Sequence, residues 1–317
     1  MTKFSSATCP TNKPEGRIYL AYSDPEIQVR LRFCALTGCA IIIQYTEINN
    51  YDKVGVLNEE SEGRQVTIEI LKSIARNGQV FTLEQLHRQT QIPKNVLSVM
   101  LSRWEDRGFV ERIERGKYLI IPLESEKGKY TLHEFVIASH LVRPSAIAYW
   151  SALHYHGLTE QIPITVFVQT TARKKKNQLE VFGVDYRIVR VKPEKFFGFK
   201  KEWIEETQVV VTDREKTVID CLDRPEYAGG IVEVAKALES ASPDRETLSR
   251  YARQLGNNAV VRRLGYLSEH LGIPLDLPLP TSRNYLLLDP TMPRQGENDP
   301  RWRLVINTEI TRQGDSG

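Results

Sequence analysis

Apolar positions first recur at a helical spacing between residues 62 and 77, where Val66, Ile70, Leu71 and Ile74 make one stripe. Gly78 follows and predicts the stop, since a helix commonly ends on a left-handed glycine. The next helix is written into its start. Thr82 stands three residues before Gln85, the spacing of a capping box, and Phe81 and Leu86 flank it as a hydrophobic staple. It runs to about Thr90. Pro93 opens a third helix, where a missing N–H costs nothing. Val96, Leu97, Met100, Leu101 and Trp104 form its inner stripe, and Gly108 ends it. Two short strands follow, over 109–113 and 118–121, with Arg115-Gly116 as the tight turn between them and Pro122 as the stop. Three helices and a hairpin in this order predict a winged helix-turn-helix over 61–124.

Residues 125–130 are polar, include Gly128, and read as a linker. Beyond them helix and strand patterns mix. One or two helices are expected over 131–153, broken near Pro144, with strands over 165–169, 184–191 and 208–212. Helices are expected over 214–222, 231–238 and 246–270, and a last strand over 302–307. The predicted class is α+β, with the winged helix followed by a mixed α/β domain over 130–310. Residues 1–60 show neither a capped helix nor a sustained alternation on this reading. They are expected to be an N-terminal extension, either unstructured or translated from a start upstream of the native one.

Composition narrows the classes. The 317 residues are 41% hydrophobic and 26% charged, which excludes a collagen-like or mostly disordered chain. Net charge is only +3, so any basic surface must be local. Cys9, Cys34, Cys39 and Cys221 have no metal or redox spacing and read as reduced thiols. His154 and His156, two apart, share no helix face, so no metal is expected. No apolar run reaches the ~20 residues a spanning helix needs. A cytoplasmic protein without membrane, metal or cofactor is expected.

The third helix carries the candidate chemistry. With its stripe turned inward, Lys94, Asn95, Ser98 and Ser102 are expected outward, the side a second helix of this motif lays in the major groove. Asparagine bonds adenine in two places; lysine takes a guanine edge or phosphate; serine takes either. In the hairpin, Arg112, Arg115 and Lys117 are placed for the DNA backbone. Glu105, Asp106, Glu111 and Glu114 dilute this charge, so a protein-binding winged helix stays open as the alternative. A second basic concentration comprises Arg173, Lys174, Lys175, Lys176, Arg187, Arg190 and Lys192. It reads either as a solvated loop or as a surface for phosphate, RNA or an acidic protein. Asp213-Arg214-Glu215-Lys216 has the residue types of a nuclease signature without its spacing. It reads as a helix cap. No phosphate loop or nucleophile elbow occurs, and no catalytic residue is expected.

Three regions resemble a known family. The stretch 144–163, from Pro144 through Trp150-Ser151-Ala152-Leu153 and His154-Tyr155-His156 to Pro163, looks like the opening of the C-terminal domain of AbiEi-type antitoxins. The stretch 211–220, with Glu215-Lys216-Thr217, does too, as do Leu288-Asp289-Pro290, Gly296 and Arg301-Trp302-Arg303-Leu304. The resemblance covers about 62–307. It implies a winged helix-turn-helix that represses its own operon by binding double-stranded promoter DNA, and a C-terminal antitoxin domain. The implied partner is a nucleotidyltransferase-like toxin encoded beside it, opposed in the type IV manner without a stable complex. Two other readings stay open: a nuclease or nucleotide-processing enzyme fused to a DNA reader, and a regulator whose second domain binds a small ligand. The first requires Asp185, Asp213, Glu215 and Lys216 to converge. The second requires a closed apolar pocket within 130–310.

Overall fold

A computed structural model describes residues 67–76, 78–122 and 132–311 in full, and the backbone alone of 17–21, 27–33, 41–47, 53–55 and 62–66. The protein is of the α+β class and divides into two compact units, Met1–Tyr130 and Thr131–Gly317. The linker expected at 125–130 lies outside the described residues.

In the first unit, strands β1 (Arg17–Ala21), β2 (Ile27–Phe33), β3 (Ile41–Glu47) and β4 (Lys53–Gly55) pair in chain order as an antiparallel meander. The hydrophobic pattern assigned nothing here, and the strands correct it. Ile27, Val29, Leu31 and Phe33 alternate with Gln28, Arg30 and Arg32, the two-residue period of a strand. A window wide enough for a helix blends that period into the continuous apolar run of residues 40–43.

Helix α1 (Glu62–Ala75) leads to β5 (Val80–Thr82), α2 (Leu83–Thr90), α3 (Lys94–Asp106), β6 (Val110–Glu114) and β7 (Lys117–Ile120). Strand β5 does not follow from the sequence pattern. It joins the hairpin as the third strand, with β7 in the centre of the sheet. Thr82 caps α2 as its spacing predicts: its hydroxyl accepts from the Gln85 amide at 3.1 Å, and the Gln85 side chain accepts from the Thr82 amide at 2.7 Å. Leu86, Leu97 and Leu101 have no exposed surface, each burial contributing about 1.5–3 kcal/mol. The indole of Trp104 donates to the buried Thr67 hydroxyl at 3.2 Å and fastens α3 to α1.

The second unit is built on a mixed sheet. After α4 (Glu134–Leu141) come β8 (Ala146–Ile147), α5 (Tyr149–Tyr155), β9 (Thr165–Thr170), β10 (Gln178–Val181), β11 (Val184–Arg190), β12 (Phe199–Ile204) and β13 (Thr207–Thr212). The strand order is β10-β11-β9-β8-β13-β12, with β11 parallel to β9 and β13 parallel to β8. Helix α6 (Arg214–Asp223) packs against α5 and against α7 (Ile231–Ala241), α8 (Arg245–Gln254) and α9 (Asn258–His270). The single helix expected over 246–270 is two. Gly256 adopts φ +69°, and Asn257 caps α9 by accepting from the Ala259 amide at 3.0 Å. The chain then closes a small sheet from β14 (Leu286–Leu287), β15 (Glu297–Asp299) and β16 (Leu304–Ile306), with β16 in the middle. Between β15 and β16, Trp302 is buried over Gly265 of α9, where any side chain would overlap its ring.

Candidate nucleic-acid interface

The buried side of α3 is Leu97, Leu101 and Trp104. At 3.6 residues per turn the opposite side carries Asn95, Val99, Ser102 and Asp106, and all four are exposed. Two of the residues expected to reach outward are turned to other tasks. Lys94 sits nearer the inner edge, and its ammonium meets Glu84 of α2 at 2.5 Å. That cation holds the Glu84 carboxyl below its ordinary value. Ser98 is exposed but donates its hydroxyl back to the Lys94 carbonyl at 2.8 Å. Asn95 and Ser102 stand outward as expected. Val99 stands with them, an apolar residue on the outward side of the helical period. It is 55% exposed.

The hairpin turn is tied to the helices. Gly116 adopts φ +77°, and its carbonyl accepts from the Leu83 amide at 2.9 Å, at the start of α2. Arg112 and Arg115 are exposed. Lys117 is half-buried and paired with Glu114 at 2.6 Å, so its charge is largely spent within the hairpin. Three of the seven candidate DNA contacts are thus engaged inside the unit, leaving Asn95, Ser102, Arg112 and Arg115 outward.

The second basic set does not form one patch. Arg173, Lys175 and Lys176 are exposed on the loop after β9, and Arg190 joins them by donating to the Thr171 carbonyl at 3.3 Å. Lys174 is half-buried, its ammonium bonded to the Leu141 carbonyl at 2.7 Å. Lys192 is exposed and 3.9 Å from Glu194. Arg187 lies over the ring of Tyr227 with Arg224, at 5.6 and 5.9 Å. Strand alternation puts it on the opposite sheet face from Arg190.

The nuclease-like residues take separate positions. Asp213 caps α6, accepting from the Lys216 amide at 2.7 Å, and also accepts from the Tyr251 hydroxyl at 3.0 Å. Glu215 accepts from the Asp244 amide at 3.0 Å. Asp185 lies on β11, three strands from β13, which is about 14 Å at ~4.8 Å per strand. The four do not share a cleft.

Lys216 itself is fully buried and paired with Asp220 one turn on, under the ring of Phe197 at 4.8 Å. Burial pushes the Asp220 carboxyl up, against the pull of the lysine charge. Gln169, also fully buried, reaches the Tyr149 hydroxyl at 3.2 Å, and Tyr149 holds a left-handed φ of +55°. The imidazole of His156 donates Nε2–H to the Thr212 carbonyl at 2.7 Å, and burial keeps its pKa below the ordinary value. His154 is exposed on the same turn. Along α8 an open, charged cleft of about 410 Å³ is lined by Arg245, Arg250, Arg253 and Asp276. It is not the closed apolar pocket a small-ligand regulator calls for. Among the described residues, no cluster of three or more His, Cys, Asp or Glu is placed to hold a metal ion, and no helix is long and apolar enough to cross a membrane. Compared with known protein-family models and with curated proteins, the chain finds no match.

Proposed function

We propose that residues 62–121 form a winged helix-turn-helix that binds double-stranded promoter DNA and represses the chain's own operon. On this reading the second unit is a type IV antitoxin of the AbiEi kind, acting in the cytoplasm and without catalysis of its own. It opposes a nucleotidyltransferase-like toxin encoded beside it and forms no stable complex with it. The observation that carries the DNA part is the outer side of α3. Asn95 and Ser102 stand directly opposite the buried stripe, and Arg112 and Arg115 are exposed on the hairpin. A helix presented this way reads base edges, while the arginines hold phosphates. The antitoxin part rests on the resemblance of 144–163 and 211–220, with the exposed Arg173, Lys175, Lys176 and Arg190 as the surface that acts on phosphate-bearing targets.

Two measurements test this reading. The full chain should shift a DNA fragment from upstream of its own coding sequence, with affinity falling steeply as salt rises. Arg115→Ala should weaken all sequences alike and flatten that salt dependence. A chain that binds its own upstream DNA no better than unrelated DNA sinks the repressor reading. Expressed with the neighbouring toxin, the chain should restore growth, and Lys175→Glu with Lys176→Glu should reduce that rescue. Growth equally poor with and without the chain sinks the antitoxin reading.

A further inference from the structure

The outer side of α3 holds one feature that polar recognition leaves unused. Val99 is the one large hydrophobic residue of the first unit that stands exposed among the described residues. It lies one helical turn after Asn95 and three residues before Ser102, so all three belong to one surface stripe. The stripe is directly opposite Leu97, Leu101 and Trp104, so Val99 contributes nothing to the core. An isolated branched apolar group between an amide and a hydroxyl matches one feature of the major groove. That feature is the C5-methyl of thymine, the only apolar group a base pair presents there.

We propose that Val99 is a specificity-determining residue that packs on a thymine methyl, beside an adenine held by Asn95. This rests on the DNA-binding reading above and deepens it, since it names the base feature read: a thymine next to the adenine that Asn95 holds. The geometry is consistent with the chemistry. Neighbours one turn apart on a helix have Cβ atoms about 5–6 Å from each other, a separation matching adjacent base pairs rather than distant ones. Lys94 is drawn to Glu84 at one edge of this stripe, and Arg103 stands exposed at the other, one turn after Val99.

The test uses the full chain and its own upstream DNA, amplified once with thymidine triphosphate and once with deoxyuridine triphosphate. Uracil pairs as thymine does and lacks only the methyl. The wild type should bind the uracil fragment about fourfold more weakly for each methyl it buries. Val99→Ala, which keeps only the Cβ methyl, should bind the thymine fragment more weakly than the wild type and should distinguish the two fragments less. Equal wild-type affinity for both fragments overturns the role of Val99 while leaving DNA binding intact. So does a Val99→Ala variant that keeps the full thymine preference. Binding of neither fragment overturns the DNA reading itself, and the inference with it. Circular dichroism identical to the wild type is expected for the variant, because the replaced methyls face solvent.

Discussion

Both units carry ion pairs at the surface, but among the described residues only the second also holds one with almost no exposed area. In the first, Lys94–Glu84 and Lys117–Glu114 are ion pairs at or near the surface, and the outer side of α3 has no part in the core. In the second, Lys216 and Asp220 are paired with almost no exposed surface, and Gln169 and Tyr149 continue the polar contacts inward. Surface pairs contribute about 0–1 kcal/mol and can be altered freely. A buried pair carries a desolvation cost that only its partner offsets, so losing one member exposes the whole cost. The polar residues on the outer side of α3 in the first unit can therefore be replaced without stranding a buried charge. The Glu215-Lys216-Thr217 segment, which carries the family resemblance in the second, is committed largely to holding α6 in place.

The sharpest break of this contrast is at Lys216. Lys216→Ala should destabilise the second unit by about 3–5 kcal/mol, because Asp220 is left buried without its counter-charge. Replacing both, as Lys216→Met with Asp220→Leu, should recover most of that loss. Urea denaturation of the full chain measures both variants, and a cost under about 1 kcal/mol for the single change would mean the pair is not desolvated.

Asn95→Ala should do the reverse. The urea midpoint should stay where it is, while binding weakens by about 1–3 kcal/mol at one base position. A drop in stability instead would place Asn95 in the fold rather than at the DNA.

A smaller effect is expected at the α2 cap. Thr82→Ala removes one arm of the capping box and should cost about 1 kcal/mol, all of it in the first unit. An unchanged melting curve for that unit would show that the hairpin contact from Gly116 holds the helix start alone.

The weakest effect is a pH slope confined to the second unit. In the unfolded chain His156 titrates near the ordinary value of about 6.5. Burial lowers it in the folded state. As pH falls, the unfolded chain takes up the proton first. The stability contributed by neutral His156 is thus present above pH ~6.5 and is lost as pH drops from there toward the folded value. Urea midpoints at about pH 7.5 and 5.5 should fall less in His156→Gln than in the wild type; parallel slopes would mean that another group titrates.

The same division governs what the sequence reveals. The capping box at Thr82, the proline opening α3, and the Arg115-Gly116 turn are local signals, complete within a few residues, and each stands where it was expected. The Gly256–Asn257 break is obscured because apolar residues continue at helical spacing on both sides of it. Strand β2 is hidden for the opposite reason: its alternation lies beside a run with none. At the candidate site the outward placement of Asn95 and Ser102 follows from periodicity alone. The capture of Lys94 does not, because Glu84 lies ten residues back on another helix and only the angle between α2 and α3 brings them together. Burial of Lys216 runs against its residue type. A charged side chain on the inner side of a helix breaks the pattern from which burial is read.

Trp302 over Gly265 also sets a timetable. The indole fills a slot in α9 from a position about 180 residues downstream of Ile121, the last core residue of the hairpin unit. At about 5–20 residues per second of synthesis, the hairpin unit emerges complete roughly 10–40 s before Trp302, and Leu304 and Ile310 of the same core follow it. For that interval a growing chain has the side of α3 proposed to meet promoter DNA, and lacks the finished core of the unit proposed to oppose the toxin.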